Sequence, residues 1–262
     1  MITCSKVCSS SDPIANPNRT FYFVVFFPAP TADDDIHFGV VGGSDAKVDE
    51  FPYMVSLRLT NNSAFCGGSI LNAHTILTAA HCVVDSKADE LMVVVGSIYL
   101  DTGGTKYLIS EITIHPDFNK SHFLANDIAI LTTSEPITTS SSVGFIALPT
   151  STTGGGVNVT LTGWGALSVH PPAPNTLQKV TLLTISDQEC KNQWKNDVDD
   201  TDICTSTKFV KGSCSGDSGG PLADGNVLVG VASSGTCAVK DYPDIYVRVS
   251  SYISWINNKT QT

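Results

Sequence analysis

From Val40 onward, apolar positions fall in short runs or alternations bounded by Gly, Pro, Asn and Ser: residues 53–59, 91–96, 128–131, 157–162, 178–183 and 227–231. Runs of that length with turn residues between them predict many short strands, hence an all-β barrel or sandwich architecture. The stretch 135–156, rich in Thr, Ser and Gly with Pro136 and Pro149, reads as the linker between an N-terminal and a C-terminal half. One helix is expected, at the C-terminal end. Val249, Tyr252, Ile253 and Ile256 recur at i, i+3, i+4 and i+7, with Ser250 or Ser251 in position to cap it. No internal repeat, heptad or charge block interrupts this pattern.

Composition adds limits. The chain has 262 residues, 42% hydrophobic and 15% charged, enough for one large core or two small ones. No window approaches eighteen uninterrupted apolar residues, so neither a spanning helix nor a membrane partner is expected. Net charge is −10 overall and −8 over residues 40–262, where 13 Lys and Arg face 21 Asp and Glu. An acidic surface gains nothing from a phosphate backbone, which argues against nucleic acid as a partner.

Eight cysteines divide into Cys4 and Cys8 near the start and Cys66, Cys82, Cys190, Cys204, Cys214 and Cys237 in the body. Six allow fifteen pairings, and spacing does not choose among them. The adjacent His81-Cys82 is the only close pair that resembles metal ligands, and with no CxxC in the chain zinc is not expected. Disulfides imply an oxidising compartment. Residues 21–27 (FYFVVFF), following Arg19 and followed by Ala29 and Ala32, look like the apolar core and cleavage zone of an export signal, so a secreted, extracellular protein is expected. Four Asn-X-Ser/Thr triplets begin at Asn61, Asn119, Asn158 and Asn258 and are glycan acceptors if the chain is exported.

The chemistry centres on Gly216-Asp217-Ser218-Gly219-Gly220. Glycines let the backbone turn tightly, so that a serine hydroxyl and neighbouring N–H groups face a substrate together. The GxSxG spacing also fits the nucleophile elbow of α/β-hydrolases, whose chain order is Ser, acid, His. All six histidines precede Ser218, which excludes that order. The base must come from upstream: His81 in Thr78-Ala79-Ala80-His81-Cys82, with Asp127 at the mouth of the apolar run Ile128-Ala129-Ile130-Leu131 as its acid. The order His, Asp, Ser is that of the chymotrypsin-type triad. A catalytically silent binding module is the competing class, and an intact triad argues against it.

These segments, with Val40-Val41-Gly42-Gly43, Cys66-Gly67-Gly68-Ser69, Gly163-Trp164-Gly165, GDSGGP from Gly216 and Tyr246-Val247-Arg248-Val249 in the same order, resemble the chymotrypsin family of secreted serine proteases over residues 40–262. The resemblance implies two six-stranded antiparallel β-barrels with the active site between them and a C-terminal helix. Residues 1–39 would then be a signal and activation pro-segment. It also selects Cys66–Cys82, Cys190–Cys204 and Cys214–Cys237 as disulfides, leaving no body cysteine to tether Cys4 or Cys8.

The resemblance implies roles residue by residue. Ser218 would be the nucleophile, His81 the base and Asp127 its orienting acid, braced by Ser233. Gly216 and Ser218 would supply the oxyanion-hole N–H groups. No cofactor or metal is implied, and residues 96–112 lack the paired acids of the calcium loop found in some relatives. Activation would require a cut before Val40, whose new ammonium pairs with Asp217; Gly39 stands where Arg or Lys is usual. Gly212, Gly235 and Asp244 would shape the specificity pocket. Gly at the base with Asp on the opposite wall is similar to crustacean serine collagenases and some arthropod chymotrypsins, whose pockets take basic and large apolar side chains. Ser234 replaces the usual tryptophan beside the substrate. The partners implied are protein and peptide substrates, protein protease inhibitors and an activating protease, with the enzyme a monomer.

Overall fold

A computed structural model describes residues 40–119, 125–167 and 173–260. The expected signal and pro-segment, Cys4, Cys8, Gly39 and most of the triplet at Asn119 lie outside the described residues. The first half carries β1 (Ser44–Asp45), β2 (Met54–Leu59), β3 (Ala64–Ile70), β4 (Thr75–Thr78), β5 (Leu91–Val95), β6 (Thr105–Ile114) and β7 (Ala129–Thr133). The second carries β8 (Asn158–Gly163), β9 (Gln178–Leu183), β10 (Asp202–Thr205), β11 (Pro221–Asp224), β12 (Val227–Ser234) and β13 (Asp244–Arg248). Between β7 and β8, where the linker was expected, there is no strand.

Strands β2 to β7 close into an antiparallel barrel in the order β2-β3-β4-β7-β6-β5. Alternation sets its interior: Val55 and Leu57 of β2 point inward with Ile70, Ile76, Val93 and Leu131, while Ser56 and Arg58 point outward. The other strands form a sheet of order β1-β9-β8-β11-β12-β13-β10. An antiparallel bridge between Thr184, just past β9, and Thr205 of β10 joins its ends, and two-residue β1 pairs alongside the start of β9. Six strands around Val159, Leu161, Val180, Leu222 and Tyr246 thus make the expected second barrel. A third apolar cluster joins the two, packing Leu77, Ala79, Ile128 and Ile130 against Leu228, Val231, Val247 and Ile256.

The helices depart from expectation. The closing α-helix, α2 (Ile253–Thr260), begins later than the apolar spacing suggested, after a 3-10 turn (Val249–Tyr252) that contains Ser250 and Ser251, so neither serine is its cap. A further helix, α1 (Asp187–Trp194), starts at Ser186, whose Oγ accepts from Glu189 N while the Glu189 carboxylate accepts from Ser186 N. That reciprocal capping box was present in the sequence. With Cys190 its one buried residue, α1 shows no apolar stripe to announce it.

Candidate active site

Pairing of β4 with β7 places Thr78 opposite Ala129. The chain leaving β4 and the chain entering β7 therefore meet at one end of the first barrel. His81 sits in the 3-10 turn directly after β4, and Asp127 lies two residues before β7. The Asp127 carboxylate is fully buried. Its Oδ1 accepts from His81 N at 2.7 Å, and its Oδ2 meets His81 Nδ1 at 2.6 Å and accepts from Ser233 Oγ at 2.6 Å. A carboxylate only accepts, so Nδ1 carries the proton and Nε2 is left with a free lone pair. The disulfide between Cys66 of β3 and Cys82 pins this turn to the barrel. Cys66, His81 and Cys82 cluster closely enough for a metal, but both sulfurs are spent in that disulfide and offer no thiolate.

Ser218 belongs to the loop between β10 and β11 and is held by its backbone. Its carbonyl accepts from Gly67 N at 2.7 Å, and the next N–H, of Gly219, donates to Ala232 O at 2.7 Å. Gly67 neighbours Cys66, so the serine faces the same disulfide-braced edge as His81. Among the described residues, no hydrogen bond joins the Ser218 hydroxyl to His81. Gly216 has φ of +100°, a conformation closed to other residues, and neither its N–H nor that of Ser218 donates to a described protein acceptor. Two backbone donors are thus left for a ligand.

Asp217 points the other way, into the second barrel. Buried, it accepts from Gly165 N and Cys214 N, both at 2.9 Å, and burial pushes its carboxyl up to about 7. Val40 is fully buried beside Leu161 and Val180 and has φ of +26°, a strained value for a β-branched residue. The bonds that carry Asp217 were not anticipated, although Gly165 lies in the Gly-Trp-Gly motif that the sequence displayed.

The pocket positions come together. Asp244, at the start of β13, is fully buried: Oδ2 accepts from Ser213 N at 2.5 Å, and Oδ1 accepts from Thr236 N at 2.9 Å and Thr236 Oγ1 at 3.2 Å. Even with these donors, burial raises its carboxyl to about 6. A Cβ on Gly212 would collide with Asp244 Oδ2, and one on Gly235 with Ser213 Oγ, so both places require glycine. The Cys214–Cys237 disulfide ties the loop carrying Ser213 to that carrying Thr236. Cys190–Cys204 joins α1 to β10, completing the expected set.

Two barrels with a buried carboxylate, an imidazole and a glycine-framed serine at their junction define a serine endopeptidase of the chymotrypsin type. The family model for trypsin matches residues 40–256, and the chain belongs to that family. It is 40% identical over 220 residues to chymotrypsin-2 of Vespa crabro, covering 83% of this chain and 98% of the relative. It is 36% identical over 222 residues to trypsin delta of Drosophila melanogaster, covering 83% and 87%. With trypsin theta of Drosophila erecta it shares 36% over 229 residues, covering 85% and 87%.

Proposed function

We propose that His81, Asp127 and Ser218 are the catalytic triad of a secreted endopeptidase made as a zymogen, with a pocket for both large apolar and basic side chains. The carrying observation is the Asp127 carboxylate, buried and holding His81 through both its backbone N–H and Nδ1. With Nδ1–H committed to Asp127, Nε2 is the acceptor for the Ser218 proton as Oγ attacks the scissile carbonyl. The imidazolium so formed is stabilised by Asp127 and returns its proton to the leaving amine. The N–H groups of Gly216 and Ser218 receive the oxyanion, each worth about 3–4 kcal/mol in comparable sites. Water then repeats the sequence on the acyl-enzyme.

Activation by a cut before Val40 is supported by two observations. The buried Asp217 carboxylate has backbone donors but no cation among the described residues, and a new ammonium would supply one. The strained φ of Val40 is defined by the carbonyl carbon of the residue before it, which cleavage would detach. Gly39 before that bond points to an activator unlike trypsin. The dual specificity is supported by Asp244, whose buried Oδ2 lies where a side chain on Gly212 would sit. Substrates and inhibitors would be proteins and peptides, met by a monomer outside the cell.

The test is Ser218→Ala. The variant should fold with the wild-type melting temperature and lose activity on a peptide nitroanilide by about 10⁴-fold or more. Retention of a tenth of the activity would remove Ser218 as nucleophile.

A further inference from the structure

Beside the Gly216 N–H lies a cavity of about 100 Å³ bordered by Ser56, Phe65, Cys66, Leu100, Ser215 and Gly216. It shares no wall with Gly212, Gly235 and Asp244, whose pocket belongs to the second barrel. This one lies between the two halves of the chain, with Ser56, Phe65, Cys66 and Leu100 on one side and Trp164, Ala173, Ser215 and Gly216 on the other, and Gly67, next to Cys66, bonds the Ser218 carbonyl. On the proposed reading, a peptide with its acyl-side residue in the Asp244 pocket would run past Ser218 toward this second cavity, which shares Gly216 with the oxyanion donors.

Behind that wall sits a cation. Arg58 is only 3% exposed. Its Nε donates to Ser56 Oγ at 3.0 Å, and its Nη1 donates to Leu100 O at 2.8 Å and Asn62 Oδ1 at 3.1 Å. Two of these acceptors, Ser56 and Leu100, are wall residues, so the guanidinium lies one layer behind the cavity surface. The Nη2 hydrogens have no acceptor, and no carboxylate pairs with Arg58, among the described residues. Asp101, the nearest acid in sequence to Leu100, turns to Asn175 Nδ2 at 2.8 Å. Arg248 shows the usual solution: equally buried, it spends its guanidinium on carbonyls and on Asp187 at 2.5 Å. A buried guanidinium stays charged, and leaving it without an anion is costly.

We propose that Arg58 makes this cavity a subsite for a carboxylate on the leaving-group half of the substrate, so that cleavage is favoured where an acid follows the cut. Extended chain advances about 3.3 Å per residue, so the first three positions after the cut span about 10 Å and are the ones to vary. The inference rests on Ser218 being the nucleophile. In a chain of net charge −10, it supplies a local cation that draws acidic segments against the overall field.

The experiment uses enzyme activated from the full chain by cleavage before Val40, and peptide pairs that differ only by Glu against Gln at each of the first three positions after the cut. A second set ends at those positions as free acid or as amide, which separates a side-chain carboxylate from a chain terminus. Wild type should prefer the charged member by about fivefold or more in kcat/KM at one position at low salt. The preference should vanish in Arg58→Gln and survive in part in Arg58→Lys. A ratio measured within one enzyme is independent of how much of it is folded. Equal ratios in wild type and Arg58→Gln, or no preference in wild type, would overturn the proposal. A nitroanilide carries no residue after the cut, so the Ser218→Ala result on it judges the triad separately.

Discussion

Asp244 Oδ2 lies above the α-carbon of Gly212, in the space that any side chain at that position would occupy. On the proposed reading the pocket floor would be this carboxylate, delivered from β13 with its orientation fixed by Ser213 N and Thr236 N. A Lys or Arg side chain reaching the floor gains a charge partner in a desolvated slot, while an apolar one still has the walls. Losing one side of a desolvated pair costs about 2–5 kcal/mol. Asp244→Gly should therefore cut kcat/KM for Arg and Lys substrates by about tenfold or more and leave Phe, Tyr and Leu substrates unchanged or improved. Parallel changes in both classes would remove Asp244 from the pocket.

The same carboxyl titrates within reach of experiment. Burial raises it to about 6, so it is charged at pH 8 and increasingly protonated, hence neutral, as pH falls through about 6. The ratio of kcat/KM for an Arg substrate to that for a Phe substrate should fall over this interval, because only the basic side chain needs the charge. Taking the ratio cancels the titration of the triad, which both substrates share, and kcat/KM reports the free enzyme. A flat ratio from pH 8 to pH 5 would contradict this.

Ser233 Oγ donates to the Asp127 oxygen that also meets His81 Nδ1. A hydrogen bond to a buried charge is worth about 1.5–3 kcal/mol, so Ser233→Ala should lower kcat by about tenfold with little change in KM. On the proposed triad the bond would act on the His81 imidazole through Asp127, without touching substrate. A rise in KM alone would place Ser233 in binding instead.

Much of this site was legible in the chain because its signals are local. The TAAHC, DIAIL and GDSGGP segments each carry residue and turn together, and their order excluded the competing hydrolase arrangement. Other features depend on contacts distant in sequence. The second barrel closes where Thr184 meets Thr205 after α1 has intervened, and no periodicity encodes that pairing. The apolar spacing at the C-terminal end overran the true helix start, since Val249 and Tyr252 are buried in a 3-10 turn held behind the anchored Arg248. Arg58 reads as the solvent-facing member of an alternating strand, and the carbonyl of Leu100, 42 residues away, helps make it a buried cation.

On the proposed activation, Asp217 would link pH to the state of the N-terminus. An isolated carboxyl titrates near 3.8, whereas in the uncut fold burial holds Asp217 at about 7. A raised carboxyl favours the folded state below its unfolded value, and that contribution is lost as pH rises through the folded value. The uncut chain should therefore lose stability between about pH 4 and pH 7, on the order of 3–5 kcal/mol. On the proposed activation, cleavage before Val40 would supply an ammonium to the ionised carboxylate, and the cut enzyme should not show this loss. Asp217→Asn removes the titration: its uncut form should have a flatter stability profile than uncut wild type. Its cut form leaves a buried ammonium unpaired, at a cost of about 3–5 kcal/mol, and should be weakly active even when fully cleaved. Urea unfolding of the four proteins from pH 4 to pH 8, with terminal sequencing of the cut samples, checks both halves. Parallel profiles for uncut wild type and uncut Asp217→Asn, or full activity in the cleaved variant, would mean that Asp217 is not the acceptor of the new terminus.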